Sequence, residues 1–431
     1  MSKRNDHKIA VVGLGYVGLP IAVALAEKFD GVIGFDVNPK RVKALNNGTD
    51  HTFEVEEDRL RKSGFIATDS VENDLFKNAN IYIVCVPTPI NANKEPDLSP
   101  LIKACGTLSK VLKKGDIVVF ESTVYPGVTE EVCGPELEAK TGLKQSVDFK
   151  LGYSPERINP GDKVNRLENI NKVVAGEDEA TSAVLKDMYE TIITHADIHM
   201  ASNIKVAEMS KAIENTQRDV NIALINEVAM ICEKINIRTE DVLAAARTKW
   251  NFLPFTPGLV GGHCIGVDPY YLTSKSARLG HHADVIRAAR RINDDMAKFV
   301  AQKTIKMIVR QDKPICTAKI GIMGLAFKEN VGDIRNSKVP DIIKELKEYG
   351  ADPIVHDPHA DKEETMHEFG LEIVDLDNFK DMDCIIYAVP HKAYEDSFKF
   401  TKALKKDGVF IDIKSRFMND DFGADQLYWC L

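Results

Sequence analysis

The sequence predicts an α/β protein in which two doubly wound parallel sheets are joined by a long central helical region. Three observations predict it. Short β-branched apolar runs alternate with helix-like segments at both ends of the chain, a helical pattern fills the middle, and the strand pattern that opens the chain returns after residue 312.

Residues 8–12 (Lys-Ile-Ala-Val-Val) read as a short buried strand that runs straight into Gly13-Leu14-Gly15-Tyr16-Val17-Gly18. The stretch that follows, to Lys28, is rich in Ala and Leu and reads as helix, with Pro20 tolerated because it falls near the start. Residues 31–35 are a second predicted strand, ending at Asp36, and further strands are predicted at 81–86 and 117–120 with helix between them. Strand alternating with helix implies a parallel sheet.

From 203 to 234 the pattern is one long helix, followed by more helix, a Gly/Pro-rich segment, and helix again from 283 to 311. Such a block often serves as a spacer and an oligomer face, with a homodimer or a higher oligomer as the expected assembly. After Asp312-Lys-Pro314 the opening pattern returns. Residues 319–325 (Lys-Ile-Gly-Ile-Met-Gly-Leu) echo 8–14, residues 353–358 echo 32–36, and 384–390 echo 81–87. These echoes predict a second Rossmann-like domain whose phosphate loop has lost its glycines. It carries Leu325-Ala326-Phe327-Lys328 where the first has Leu14-Gly15-Tyr16-Val17, so its expected ligand is a nucleotide but not a dinucleotide. The expected division is 1–200, 201–311 and 312–431.

Composition narrows the function. A content of 44% hydrophobic and 28% charged residues is that of an ordinary globular protein, and 431 residues suffice for two or three cores. The net charge of −9 argues against nucleic acid or an anionic membrane as partner, since both require a broad basic surface. An anionic substrate would therefore need cations gathered locally. The charged residues 1–7 lack an apolar core, so no signal peptide is expected, and no run is long enough to span a bilayer. The eight Cys are scattered without a CxxC pair, which points to reduced thiols in the cytoplasm and to no metal site.

A glycine-rich turn alone is a weak signal. Here it lies between a strand and a helix, and Asp36 ends the next strand, where a ribose-binding acid belongs. The glycines permit the tight turn and the approach of a pyrophosphate to the helix N-terminus. Asp36 would accept from ribose hydroxyls and repel a 2′-phosphate, which favours NAD over NADP, although Arg41 could reach a phosphate. The segments Val86-Pro87-Thr88-Pro89 and Glu121-Ser122-Thr123-Val-Tyr-Pro126-Gly127 follow predicted strands, at the ends where ligands bind; capped Pro-rich turns explain each singly just as well.

The central helix places Lys211, Asn215 and Arg218 on one face. A solvated polar face accounts for that spacing; the chemical alternative is a cation and an amide donor aimed at a developing oxyanion. The most informative segment is Gly258-Leu-Val-Gly261-Gly-His263-Cys264-Ile-Gly-Val-Asp268. Glycines flank His263-Cys264 and let the thiol protrude, with Asp268 four residues on. A dehydrogenase with a nucleophilic Cys can capture an aldehyde as a thiohemiacetal and oxidise it to a thioester, turning an alcohol into an acid by two hydride transfers.

Together these residues resemble the UDP-glucose/GDP-mannose dehydrogenase family, over essentially the whole chain. The combination is Gly13 to Gly18, Thr88-Pro89, Glu121-Ser122-Thr123, Ser154-Pro-Glu156-Arg157, Lys211 with Asn215, Gly261-Gly-His-Cys264, and Phe327-Lys328 near Asp333-Ile-Arg335. The resemblance implies an N-terminal NAD domain, a dimerising central helix and a C-terminal domain for the UDP moiety. It implies Cys264 as nucleophile, Lys211 and Asn215 as oxyanion stabilisers that also touch the sugar, and Asp268 as the acid that positions water or relays protons. Glu156 is implied in thioester hydrolysis, and Thr123 beside C6 and the nicotinamide. Gly13, Gly15, Tyr16, Val17, Gly18, Asp36, Arg41, Pro87, Thr88, Ser122 and Thr123 are the expected cofactor contacts. Arg157, Arg218, Gly261, Phe327 and Lys328 are the expected substrate contacts. Arg335 is implied at the nucleotides, as a UDP contact within the C-terminal set and as a candidate for the cofactor.

Within the family, Ser154 to Gly161 and Lys249 to Phe255 resemble the N-acetylhexosamine branch, of capsular and O-antigen aminouronic acids. Pro160 stands where UDP-glucose enzymes usually carry a second Glu, which counts against UDP-glucose. The expected reaction is four-electron oxidation of the C6 hydroxymethyl of a UDP-N-acetylhexosamine, UDP-N-acetylglucosamine foremost, with its galacto epimer and UDP-glucose as alternatives and a two-electron hydroxyacid dehydrogenase as the rival class. At Asp412-Ile-Lys414, where many relatives carry Arg, either Lys414 or Arg416 inherits the role.

Overall fold

The structure is a computed structural model that describes residues 3–91, 93–158, 166–262 and 264–431. His263, Pro160 and Gly161 lie outside the described residues. The chain forms two compact units, Met1–Glu214 with Tyr270–His281, and Asn215–Pro269 with His282–Leu431.

The first unit is built on eight strands: β1 (Ile9–Val12), β2 (Ile33–Phe35), β3 (Ile66–Thr68), β4 (Ile81–Val84), β5 (Ile117–Phe120), β6 (Lys150–Tyr153), β7 (Lys172–Gly176) and β8 (Ile198–Met200). They are ordered β3-β2-β1-β4-β5-β6-β7-β8, and every pairing is parallel except β6 with β7. Strands such as Ile-Ala-Val-Val are buried on both faces, as a sheet covered by helices requires. The order reverses between β1 and β4, so the turns leaving these two strands flank the crevice where open α/β sheets hold ligands. The predicted strands are present, each within two residues of its expected limits; the short β3 and the strands β6 to β8 complete the sheet.

The second unit holds an all-parallel sheet of β9 (Ile320–Met323), β10 (Ile354–His356), β11 (Met382–Tyr387), β12 (Leu404–Asp412) and β13 (Leu427–Cys430), ordered β10-β9-β11-β12-β13. On one face the helices Asp284–Arg310 and Val339–Glu348 bury Met296, Val300, Ile308, Ile342 and Leu346 against Ile320, Ile322 and Ile386. On the other, Tyr387, Phe400, Phe410 and Phe417 pack edge to face. Among the described residues no helix is long and apolar enough to cross a membrane.

The helix Ile204–Ile235 runs for 32 residues without Gly or Pro to interrupt it. Its first part belongs to the first unit and its remainder to the second. In the second unit its Asp219 forms a buried pair with Arg290 at 2.6 Å, and Asn293 donates to the same carboxylate. That network pins the helix against Asp284–Arg310.

Candidate active site

In the first unit the loop after β1 is shaped by contacts that leave no room for side chains. Gly13 has φ of +92° and donates to the Phe35 carbonyl at 2.8 Å; a Cβ there would sit 2.8 Å from the Cys85 carbonyl oxygen. A Cβ on Gly18 would lie 1.8 Å from the Gly13 oxygen, so only glycine lets the helix Gly18–Ala26 start this close to the strand. Gly15 differs. A Cβ there would meet nothing within 4 Å, which leaves the space before the helix N-terminus open to a pyrophosphate. The half-buried Asp36 accepts from the Leu14 amide and the Asn38 amide, both at 2.9 Å, and its carboxylate oxygens keep further lone pairs for ribose hydroxyls. These features fit a dinucleotide. Tyr16 and Val17 complete the turn into the helix. Arg41 is committed within the unit: it pairs with buried Asp50 at 2.8 Å and donates to the Leu14 carbonyl at 2.9 Å. Its charge is met there, which strengthens the reading of Asp36 as selective for NAD.

The turns after β4 and β5 are stitched together. Thr88 donates to the Thr123 carbonyl at 2.7 Å, Ser122 donates to the Val86 carbonyl at 2.6 Å, and the Tyr271 hydroxyl donates to the Thr88 carbonyl at 2.8 Å. Pro87 stiffens the first of these turns, and Thr123 is half-buried in the second. Glu121 is sealed beneath them in a pair with Lys172 at 2.8 Å, and Tyr189 donates to its other oxygen. Burial drives its pKa upward against the pull of Lys172. Both of its oxygens are thus committed to partners within the unit.

Glu156 follows β6 and is buried. One oxygen accepts from the amides of Arg157, at 2.6 Å, and Ile158; the other has no partner among the described residues. A half-satisfied buried carboxylate is a costly arrangement and is suited to binding water or substrate. Arg157 is braced by Glu214 and by the Asn171 carbonyl at 2.9 Å. Lys211 is buried on the helix Ile204–Ile235. One turn before it, Glu208 accepts from the amides of Gly127 at 2.5 Å and Thr129 at 2.9 Å, anchoring the turn after β5. Burial lifts the Glu208 pKa to about 7, although both amides favour its anion.

In the second unit, Asn215 donates to Asp268 at 2.5 Å while its oxygen accepts from Arg218 at 3.2 Å. Arg218 can only donate, so it fixes which way the amide points. Asp268 is buried and opens the helix Asp268–Arg278, and its amide donates to the Cys264 carbonyl at 2.9 Å. Cys264 is half-buried, unlike Cys85, Cys105, Cys133, Cys232 and Cys384, which are buried. Among those, burial pushes the thiols of Cys85 and Cys384 far from ionisation. The glycine loop is pinned at its start by Asn226, which donates to the Gly258 carbonyl at 3.0 Å and accepts from its amide at 2.8 Å. Asn226 was not singled out from sequence, yet it stands eleven residues after Asn215, three turns along the same helix face.

That loop lies flat on Phe327: a Cβ at Gly261 would sit 2.8 Å from the Asn336 oxygen and 3.0 Å from the Phe327 Cβ. Beside it is a cavity of about 390 Å³ whose lining includes Gly261, Phe327, Lys328, Asn330, Lys338 and Lys414. Lys328 and Lys414 bring positive charge to this cavity of an acidic chain, beside Glu329, while Lys338 pairs with Asp294 at 3.1 Å and Asp341 at 3.2 Å. Lys414 lines the cavity, and burial lowers its pKa. Arg416 pairs with Glu329 at 3.0 Å and is not among the lining residues. Arg335 is forked onto Asp333 at 2.6 and 2.9 Å, also outside the lining.

The chain matches three family models in succession: the NAD binding domain of the UDP-glucose/GDP-mannose dehydrogenase family over residues 7–193, its central domain over 205–295, and its UDP binding domain over 321–419. The chain belongs to the UDP-glucose/GDP-mannose dehydrogenase family. It is accordingly an NAD-dependent nucleotide-sugar dehydrogenase with a UDP-binding domain at its C-terminal end. Among relatives, it is 51% identical over 427 residues to Protein CapL of Staphylococcus aureus, covering 99% of this chain and 100% of that one. It is 50% identical to a UDP-N-acetyl-D-glucosamine 6-dehydrogenase of Pseudomonas aeruginosa, over 95% of this chain and 97% of the relative. Among solved structures, a UDP-D-ManNAc dehydrogenase from Pyrococcus horikoshii superposes with a TM-score of 0.88 at 31% identity, over 98% of each chain.

Proposed function

We propose that this family member oxidises the C6 hydroxymethyl of a UDP-N-acetylhexosamine, UDP-N-acetylglucosamine foremost, to the carboxylate through a covalent adduct on Cys264. The observation that carries the reading is a half-buried thiol on a glycine loop whose next turn presents Asp268, itself hydrogen-bonded to Asn215. The relatives named as UDP-N-acetyl-D-glucosamine 6-dehydrogenases at 50% identity support the choice of sugar.

NAD, when bound, accepts a hydride in each of two oxidations. The first releases the hydroxyl proton and leaves the C6 aldehyde. The Cys264 thiolate then adds to the aldehyde carbon, and the resulting oxyanion is met by the Lys211 ammonium and the Asn215 amide, one helical turn apart. Loss of the C6 hydride from this thiohemiacetal gives the thioester. Water, oriented by Asp268 or by the Glu156 oxygen that has no hydrogen-bond partner among the described residues, adds to the thioester carbonyl and expels the thiolate, which leaves the acid. Lys328 and Lys414 hold the UDP phosphates, and Phe327 packs beside them.

The same reading assigns residues 1–200 to NAD, 201–311 to a dimerising helical region and 312–431 to the UDP moiety. Support for the dimer comes from apolar side chains exposed on the long helix, among them Met209, Ile213, Leu224 and Ile231.

The reading is tested by Cys264→Ser with four UDP-hexoses. Wild type should release two NADH per sugar and give its highest kcat/KM with UDP-N-acetylglucosamine. The Ser variant should stop after a slow, near-stoichiometric release, because a Ser hydroxyl without a dedicated base does not ionise as a thiol does, and an alkoxide leaves less readily than a thiolate. Repeated turnover to uronate at wild-type kcat would refute the covalent route.

A further inference from the structure

We infer that His391 is a positioning residue for the second nucleotide site, holding the loop that carries Phe327 and Lys328 in its binding shape. His391 follows β11 and has no exposed surface. Its Nδ1 accepts from the Asn330 backbone amide at 2.9 Å. That donor is fixed, so Nε2 carries the proton and donates to Asp357 at 3.0 Å. The same Asp357 oxygen accepts from the amides of Leu325 at 2.6 Å and Ala326 at 2.9 Å. One imidazole therefore ties both ends of the segment 325–330: directly at Asn330, and through Asp357 at Leu325 and Ala326.

The segment needs tying. Asn330 sits at φ of +59°, a conformation that costs a non-glycine residue free energy and persists only where its surroundings impose it. A second clamp acts there, since the Asn330 side chain accepts from the Lys392 amide at 2.8 Å. The residues preceding His391, Val389 and Pro390, line the same cavity as Phe327 and Lys328. No helix follows β9 directly to stiffen the turn; the next begins at Val339. The geometry of the cavity thus depends on a side-chain circuit centred on His391.

This rests on the reading that Lys328 contacts the UDP moiety. The test is calorimetric titration of the full chain with UDP and, separately, with NAD. His391→Leu removes both bonds at similar volume; Gln restores one acceptor and one donor. His391→Leu should weaken UDP by about tenfold and leave NAD within about twofold, while His391→Gln should recover most of the loss. The UDP-sugar KM should rise with kcat little changed. Asn330→Gly keeps the turn and the amide to His391 and loses only the clamp to Lys392; it should weaken UDP by roughly threefold, and it serves as the readout should His391→Leu fail to fold. Unchanged UDP affinity in these variants, or equal loss for UDP and NAD without rescue by Gln, would overturn the inference. Lys328→Ala run alongside separates the two ideas. Should it leave UDP binding unchanged, the reading of Lys328 fails; should it weaken binding while the His391 and Asn330 variants do not, only the positioning role fails.

Discussion

The turns after β1 and β9 begin identically and then part. Gly13 and Gly324 have φ of +92° and +93°, and each donates at 2.8 Å to the carbonyl of the last residue of the neighbouring strand, Phe35 or His356. An aspartate follows that strand in both. Asp36 is half-buried and accepts two amides, from Leu14 and Asn38. Asp357 is buried and accepts five groups, the amides of Leu325, Ala326, His359 and Ala360 and the imidazole of His391. The first turn enters a helix at Gly18, whose N-terminus faces open space; the second enters none before Val339. Loss of the glycines thus goes with a different surrounding. The first turn leads into a helix N-terminus with its backbone amides, and the second borders a cavity with lysines in its lining.

The comparison breaks most visibly at the two aspartates. Asp357→Ala should cost about 3–5 kcal/mol of folding stability, since it orphans a buried imidazole and four amides, whereas Asp36→Ala should cost less than about 1 kcal/mol. Denaturant unfolding of both variants checks this, and similar losses would mean that the two acids share one role. Lys328→Ala should weaken UDP by roughly 1.5–3 kcal/mol with NAD affinity nearly intact, the amount expected for a charge-assisted phosphate contact. Calorimetry showing the loss on the NAD side would assign the lysine to the wrong loop.

A smaller change is expected in cofactor choice. Asp36→Ala should narrow the NAD preference over NADP by roughly tenfold in kcat/KM, and comparable values for both cofactors in the wild type would remove Asp36 as the selector. The smallest effect in ordinary buffers concerns pH. Burial works to raise the pKa of Asp357, but His391 and the amides of Ala326 and Leu325 outweigh it and hold the pKa well below the usual carboxylate range. A depressed folded pKa contributes stability that is whole above about pH 4 and is lost as the pH falls further. Asp357→Asn should flatten the acid limb of a stability–pH curve; an unchanged limb would place the acid sensitivity elsewhere.

The alternating strands, the helix Ile204–Ile235, the repeat of the opening pattern and the acids closing the second strands could all be read directly from residue order. Each rests on local chemistry: buried apolar runs, helical periodicity, glycine at a turn. Strands such as Lys150–Tyr153, with its charged end and its glycine, carry no such signal, and the antiparallel pairing of β6 with β7 is decided by the sheet alone. Partners across the fold were equally out of reach. Arg41 turns to Asp50, Glu208 reaches an amide 81 residues away, and His391 closes on Asp357 from 34 residues off. Lys414 lines the cavity and Arg416 turns to Glu329 two residues later. Residue order says which groups can donate, accept or carry charge. Which of them meet is set by backbone segments brought together only when the sheets and their crossovers pack, so the second loop's dependence on His391 appears only in three dimensions.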